Sequence, residues 1–198
     1  MRGVNSAVAM SRSLSVSIAI LLAAFAALGN TSMDAQNSTQ PKPVGQSGFD
    51  VIGIQTRTNN AQEATANGAI PKLWQRLFAE GILGQIPDRA DQSVTVVYTN
   101  YAGDWNSDYT YILGAKVKPG AKAPEGMVLV TVPSGKYVEF ESARGPSQQV
   151  VPELWKQIWA YFQQAGSPVR AYKSDFERYE TMSDPNNIQA QIFMGVKP

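Results

Sequence analysis

The feature that most constrains this chain is a self-similarity at one fixed spacing. Pro71 returns as Pro152, Leu73-Trp74 as Leu154-Trp155, Phe78 as Trp159, Tyr98 as Tyr179, Gly114 as Gly195 and Lys116 as Lys197, each 81 positions on (152 − 71). A single offset that holds across a helical segment and the β-rich runs after it marks a duplicated unit. Two copies are too few for a solenoid, which needs three or more. They predict one α+β domain of two βαββ units related by a pseudo-twofold, with an antiparallel sheet and two main helices framing a central cleft.

Each copy reads in the same order. Phe49–Arg57 is strand-like, the stretch from Asn59 to Gly68 is a loop, and Ile70–Glu80 has Pro at a helix start with Gly81 as its stop. Val94–Tyr101 and Tyr109–Val117 are strands about the turn at 103–108. In the second copy, Val128–Val132 and Tyr137–Glu141 flank a Pro133-Ser134-Gly135 break. Val151–Ala165 is then helical, and Lys173–Glu180 and Ile188–Val196 close the domain. Leu73/Leu77 and Leu154/Ile158 form the stripes expected to bury on the sheet. Trp74/Phe78 and Trp155/Trp159 form aromatic edges beside them, which either join the core or face each other across a cleft.

In the strand Ser174–Glu180, period 2 places Asp175, Glu177 and Tyr179 on one face and Phe176 and Arg178 on the other. If the first face looks inward, Glu177 is a carboxylate ringed by aromatics; if it looks outward, Glu177 is a solvated surface charge. The position matching Glu177 in the first copy is Val96, so the duplication keeps its core and changes one inward position.

Composition narrows the chemistry. The 198 residues carry a net charge of +1 and no Lys/Arg run, which gives no electrostatic footprint for nucleic acid. With no His and no Cys, zinc sites of the usual kind, Cys or His nucleophile–base pairs and Ser-His-Asp catalysis are excluded. Asp104 and Asp108 around Trp105 lack calcium-loop spacing and read as a turn, so neither a metal nor a cofactor is expected. Arg57-Thr58-Asn59-Asn60 reads as loop capping ahead of the helix.

At the N-terminus, Arg2 and Arg12 precede an apolar run from Leu14 to Leu28 and a small-x-small site at Ala27-Leu28-Gly29. That is the form of a secretory signal peptide over residues 1–29, and the run is short of the ~20 residues a membrane span needs. No Cys follows it, so a lipid-anchored form is excluded. Residues 30–48 are polar and read as a linker, with the folded domain at 49–198. The expected location is periplasmic or secreted.

From Phe49 to Lys197 the chain resembles the GyrI-like effector-binding domain family. That small-molecule-binding module occurs fused to AraC- and MerR-type multidrug regulators and also alone. The resemblance rests on residues 53–60 (Gly-Ile-Gln-Thr-Arg-Thr-Asn-Asn), Ile70-Pro71 with Leu73-Trp74, and Val97-Tyr98-Thr99-Asn100-Tyr101 with Asp104, Tyr109 and Gly114. Residues 133–137 (Pro-Ser-Gly-Lys-Tyr) and Tyr172 with residues 175–179 (Asp-Phe-Glu-Arg-Tyr) complete it. It implies a duplicated βαββ fold, Glu177 at the bottom of an aromatic cleft that meets cationic drugs, and Tyr137 as a pocket aromatic. Where regulators carry a helix-turn-helix, this chain carries the signal-like segment and polar linker, so no nucleic-acid partner is expected.

The leading expectation is thus an exported, stand-alone protein that binds lipophilic aromatic compounds, often cationic. The cleft would be lined by Tyr137, Trp155, Trp159, Tyr101 and Trp105, with Glu177 supplying selectivity. The resemblance also leaves open a hydrolase of electrophilic small molecules working through Glu177 and Tyr137. A third reading is a protein-interaction or inhibitor module.

Overall fold

The computed structural model describes residues 39–198, Thr181 and Ser183 excepted, and the signal-like segment at 1–29 lies outside the described residues. The elements in order are β1 (Thr39–Gln46), β2 (Phe49–Thr58), α1 (Asn60–Glu63), α2 (Ile70–Ala79), α3 (Ile82–Gln85), β3 (Val94–Thr99) and β4 (Tyr109–Val117). The second half follows with β5 (Val128–Val132), β6 (Gly135–Glu141), α4 (Ser147–Gln163), β7 (Ser174–Tyr179) and β8 (Ala190–Val196). The eight strands form one sheet in the order β1-β6-β8-β7-β3-β4-β2-β5, and every neighbouring pair is antiparallel.

That order is a palindrome under the repeat. Exchanging the halves swaps β7 with β3, β8 with β4, β6 with β2 and β1 with β5, so a pseudo-twofold passes between β3 and β7. Each unit is therefore ββαββ, and in the first half the leading strand, β1, was not visible in the sequence pattern. The leading strand of each half crosses to the other: β1 pairs with β6, and β5 pairs with β2.

The first crossing strand corrects the reading of 30–48 as linker, because Thr39–Gln46 within it is β1. Its sequence hides it. Pro41 and Pro43 lack backbone donors, and its only branched apolar residue is Val44, so no alternation is visible. Such a strand is stable only at a sheet edge, where unpaired N–H groups are not needed, and it sits at one end of the sheet order.

The helix expectations hold in their stripes and differ at one boundary. Leu73 and Leu77 of α2, and Leu154 and Ile158 of α4, are buried on one face of the sheet. Gly81 terminates α2 in the left-handed region (φ 61°). Helix α4 starts at Ser147, ahead of the expected Val151, and leaves Pro152 in its interior. Its start is tied down instead by the Ser147 amide, which donates to the Pro185 carbonyl (2.9 Å).

Gly114 and Gly195 recur because two strands come too close for a side chain. A Cβ at Gly114 would lie 1.9 Å from the Ile52 carbonyl oxygen, and one at Gly195 would lie 2.6 Å from that of Ser174.

The sheet has a core on each face. The helix face buries Ile52, Val96, Leu113 and Ile192 against α2 and α4. The opposite face buries Val51, Val97, Ile112, Val132, Tyr137, Phe176 and Phe193, and none of the described helices lies over them. There the sheet covers itself: its curl brings β5 back against β7.

Candidate functional site

Strands β3 and β7 pair in the register Val96↔Glu177, and these two positions are also repeat counterparts. The pseudo-twofold therefore runs through this pair, the one place where a residue faces its own copy. Directly opposed side chains on an antiparallel pair have Cβ atoms about 5 Å apart. Two buried carboxylates at that spacing would not both ionise. The axis accommodates one acid, and the other half supplies Val96, which is fully buried.

Glu177 is 2% exposed and has a donor on each side of the axis. Its Oε1 accepts from the Tyr98 hydroxyl (2.8 Å) and from the Trp155 indole N–H (3.1 Å), and its Oε2 accepts from the Tyr179 hydroxyl (2.5 Å). Tyr98 and Tyr179 are repeat counterparts, so the two halves clamp the carboxyl symmetrically. Burial pushes the Glu177 pKa up, and the three hydrogen bonds to its oxygens oppose that rise without cancelling it. Tyr98, Tyr179 and Tyr111 are held well above the ordinary phenol value, by burial first and then by the negative charge of Glu177. The phenols therefore stay protonated and donating.

Above this cluster lies a hollow lined by Tyr98, Tyr101, Tyr109 and Trp105 from β3, β4 and their connection. Trp155 and Trp159 of α4, Asn60 and Glu63 of α1, Ile70 and Arg170 line the rest. It encloses about 610 Å³ when the space open to solvent is counted, but only about 60 Å³ of free cavity. The smaller figure describes the resting hollow: it is narrow, with aromatic rings packed together along its wall. Trp155 meets Tyr98 edge-on at 5.6 Å between ring centroids and lies 6.1 Å from Trp159.

Four expected residues thus meet in one place: Trp155, Trp159, Tyr101 and Trp105. Glu177 lies one layer lower, beneath Tyr98 and Trp155, rather than opening directly into the hollow. Tyr137 is a correction. It shares the other face of the sheet with Phe176 and Phe193, and its hydroxyl donates to the Pro133 carbonyl (2.9 Å). The reason is strand parity: Tyr137 pairs with Gly195, an even number of residues from Phe193, so it cannot share a face with Glu177. A Glu177–Tyr137 catalytic pair is accordingly ruled out. Of the two readings open for the aromatic edges, Trp74 takes the core one at 4% exposure, and the α4 edge lines the hollow.

The hollow holds two charged residues that the sequence did not single out. Glu63 is buried, and its carboxylate accepts from the amides of Ala69 (2.9 Å) and Ile70 (3.1 Å) and from the Thr58 hydroxyl. It therefore caps α2, whose own N-cap residue, Ala69, offers no side-chain acceptor. Asn59 caps α1 through the Gln62 amide (2.8 Å), in line with the capping role read for that stretch. Arg170 pairs with the fully buried Asp175, which also accepts from the Tyr101 hydroxyl (2.6 Å) and the Gly195 amide (2.7 Å). The Arg170 guanidinium lies 4.5 Å from the Tyr172 ring centroid. Tyr98 was legible through its repeat partner. Glu63 sits in an Ala-rich stretch and Arg170 in a connection, where no period points inward.

Chemically the site offers flat apolar walls, hydroxyl and indole donors turned inward, and one carboxyl whose ionisation is discouraged. Among the described residues no cluster of three or more acidic side chains is placed to hold a metal ion.

Comparison with known proteins gives a consistent picture. A family model described as integron-associated effector binding protein matches residues 44–196. The chain is similar to an integron cassette protein from the mobile metagenome of Vibrio cholerae, at 30% identity and a TM-score of 0.63, covering 81% of this chain and 97% of that one. It is 29% identical over 147 residues to the Bacillus subtilis protein YobU, which spans 73% of this chain and 90% of that protein. The fold also matches SAV2435, solved bound to tetraphenylphosphonium, at 18% identity and a TM-score of 0.65, covering 80% of this chain and 94% of that one.

Proposed function

This chain belongs to the integron-associated effector-binding family, a GyrI-like family, and from that premise we propose that it captures lipophilic aromatic cations in the hollow above Glu177. The observation that carries the reading is the single carboxyl on the pseudo-twofold, 2% exposed and clamped by Tyr98, Tyr179 and Trp155. A buried acid with raised pKa gains from a cation nearby, because the cation restores the charged form that burial penalises. Ring faces of Trp155, Trp159 and Tyr101 add cation–π attraction of about 0.5–2 kcal/mol where water is excluded. Burial of flat apolar area supplies the larger part, at about 25 cal/mol per Å².

The resting hollow is narrow, so a ligand the size of tetraphenylphosphonium enters only if rings lining it swing aside. Trp105, 55% exposed, and Trp155, held by one hydrogen bond, are placed to do so. That SAV2435 was solved with tetraphenylphosphonium supports the choice of probe. Calorimetric titration of the full chain with tetraphenylphosphonium and with neutral triphenylphosphine oxide tests the reading. Glu177→Gln should weaken the cation about tenfold, one charge interaction's worth, and leave the neutral compound unchanged. Equal loss for both would remove charge recognition from the site.

Export belongs to the same reading, motivated by Arg2, Arg12 and the run Leu14–Leu28. Mass spectrometry of the protein expressed with its N-terminus intact in a Gram-negative host should find a species beginning near Asn30. Uncleaved protein confined to the cytoplasm would sink it.

A further inference from the structure

The face of the sheet away from the helices carries a second hollow, lined by two cations and one acid. It is floored by Phe176 and Phe193, stacked at 4.3 Å between centroids and 8° apart, with the edge of Phe49 against Phe176 at 5.1 Å. The turn from Gly45 to Gly48 forms its lip. By the measure that gives the helix-side hollow about 60 Å³, this one has about 450 Å³ of room, enough for a bicyclic aromatic. It is open at rest, without any ring having to move.

Two cations line it. Lys116 Nζ lies 4.9 Å from the centre of the Phe49 ring, and Arg178 stands beside Thr95 across the β3–β7 ladder. Neither forms an ion pair with a carboxylate among the described residues; Arg178 makes a 3.4 Å contact to the Gln191 amide oxygen. The acid of this hollow, Asp91, is already occupied by the amide (2.8 Å) and hydroxyl of Ser93. Burial pushes Asp91 up, but its bonds to Ser93 and the positive field of Arg178 and Lys116 outweigh that and hold it below its ordinary value. Among the side chains that line the hollow, two cations thus stand against one acid that is already engaged.

We propose that this face is a second binding site, distinct from the helix-side hollow, for a flat aromatic anion of the aryl carboxylate class. The ring would lie in the open space over Phe176 and Phe193, and the carboxylate would be held between Lys116 and Arg178. Strand parity makes the two sites independent. Phe176 and Arg178 point away from Asp175, Glu177 and Tyr179, so one strand serves a cation site on one face and an anion site on the other.

The test is calorimetric titration of the full chain with 2-naphthoate and with its neutral analogue 2-naphthylmethanol. The wild type should bind 2-naphthoate saturably and more tightly than the alcohol. Lys116→Glu, a half-exposed position, should weaken naphthoate about tenfold or more, and Lys116→Gln with Arg178→Gln should abolish it, while both variants keep wild-type binding of tetraphenylphosphonium. Glu177→Gln and Trp155→Ala should leave naphthoate binding unchanged. The proposal is overturned by an absence of saturable naphthoate binding, by equal affinity for acid and alcohol, by an unchanged affinity in Lys116→Glu, or by competition between naphthoate and tetraphenylphosphonium.

Discussion

The two halves of this domain use one packing motif to opposite ends. In the first half, Trp74 of α2 meets Tyr179 edge-on at 5.5 Å, and its indole N–H donates to the Tyr111 hydroxyl (2.9 Å). In the second, Trp155 of α4 meets Tyr98 edge-on at 5.6 Å, and its indole N–H donates to Glu177 (3.1 Å). The ring geometry is conserved through the duplication; the acceptor is not. Trp74 is sealed into the core, whereas Trp155 is half-buried at the wall of the hollow. The lesson is that the repeat supplies the frame, and a site appears where the axis forbids the halves from being alike.

The most severe way to break this comparison is to restore the symmetry with Val96→Glu. A second carboxylate would sit opposite Glu177 in a fully buried position. The expected loss is about 3–5 kcal/mol at neutral pH, comparable to leaving a buried charge unpaired. Urea unfolding checks it, and a loss under 1 kcal/mol would mean that the axis does not limit the site to one acid. Next in size is the pair Trp74→Ala and Trp155→Ala. The first should cost about 3–5 kcal/mol as a core truncation. The second should cost about 1–2 kcal/mol, because its ring is already partly solvated, while removing most tetraphenylphosphonium affinity. Equal destabilisation by both would erase the distinction between core and wall.

Much of the frame was legible because duplication states each signal twice. The offset of 81 located both helices, the β3–β4 and β7–β8 pairs and the Val96/Glu177 difference without any three-dimensional information. What escaped had physical causes. β1 is polar and Pro-bearing, so an edge strand that exchanges between halves left no alternation to read. Tyr137 follows a Pro-Ser-Gly turn, and a turn conceals parity: only the pairing Tyr137↔Gly195 reveals which face the ring takes. Glu63 reaches the site through a capping role rather than a period. Trp74 and Trp155 share a Pro-x-Leu-Trp context, and only the surroundings of the folded sheet decide which one is sealed.

A gentler probe of the asymmetric acid is pH. Glu177 has its pKa raised in the folded protein, above the ordinary value it regains on unfolding. Between those two values the folded state binds the extra proton, so stability falls as pH rises through that window and is level above it. Unfolding free energies of wild type and Glu177→Gln, measured in steps from pH 4 upward (about the ordinary glutamate value), should show the wild type losing ground over the window. A wild type that gains ground instead would mean that the three hydrogen bonds outweigh burial, and that the empty site holds a settled carboxylate.

The smallest effect sharpens the comparison furthest, because it concerns counterparts with nearly the same chemistry. Phe78 and Trp159 occupy the same turn of their respective helices. Phe78 stacks on Trp74 at 6.0 Å but is 44% exposed and lines no part of the hollow, whereas Trp159 lines its wall. Replacing Phe78 by Ser removes area that is largely in water already, so stability should change by about 0.5 kcal/mol or less and cation binding not at all. Replacing Trp159 by Ser should leave stability within about 1 kcal/mol, yet weaken tetraphenylphosphonium severalfold through the lost ring face. A matched loss of affinity from Phe78→Ser would mean that the first-half edge also reaches the ligand, and that the duplication kept two walls where the resting structure shows one.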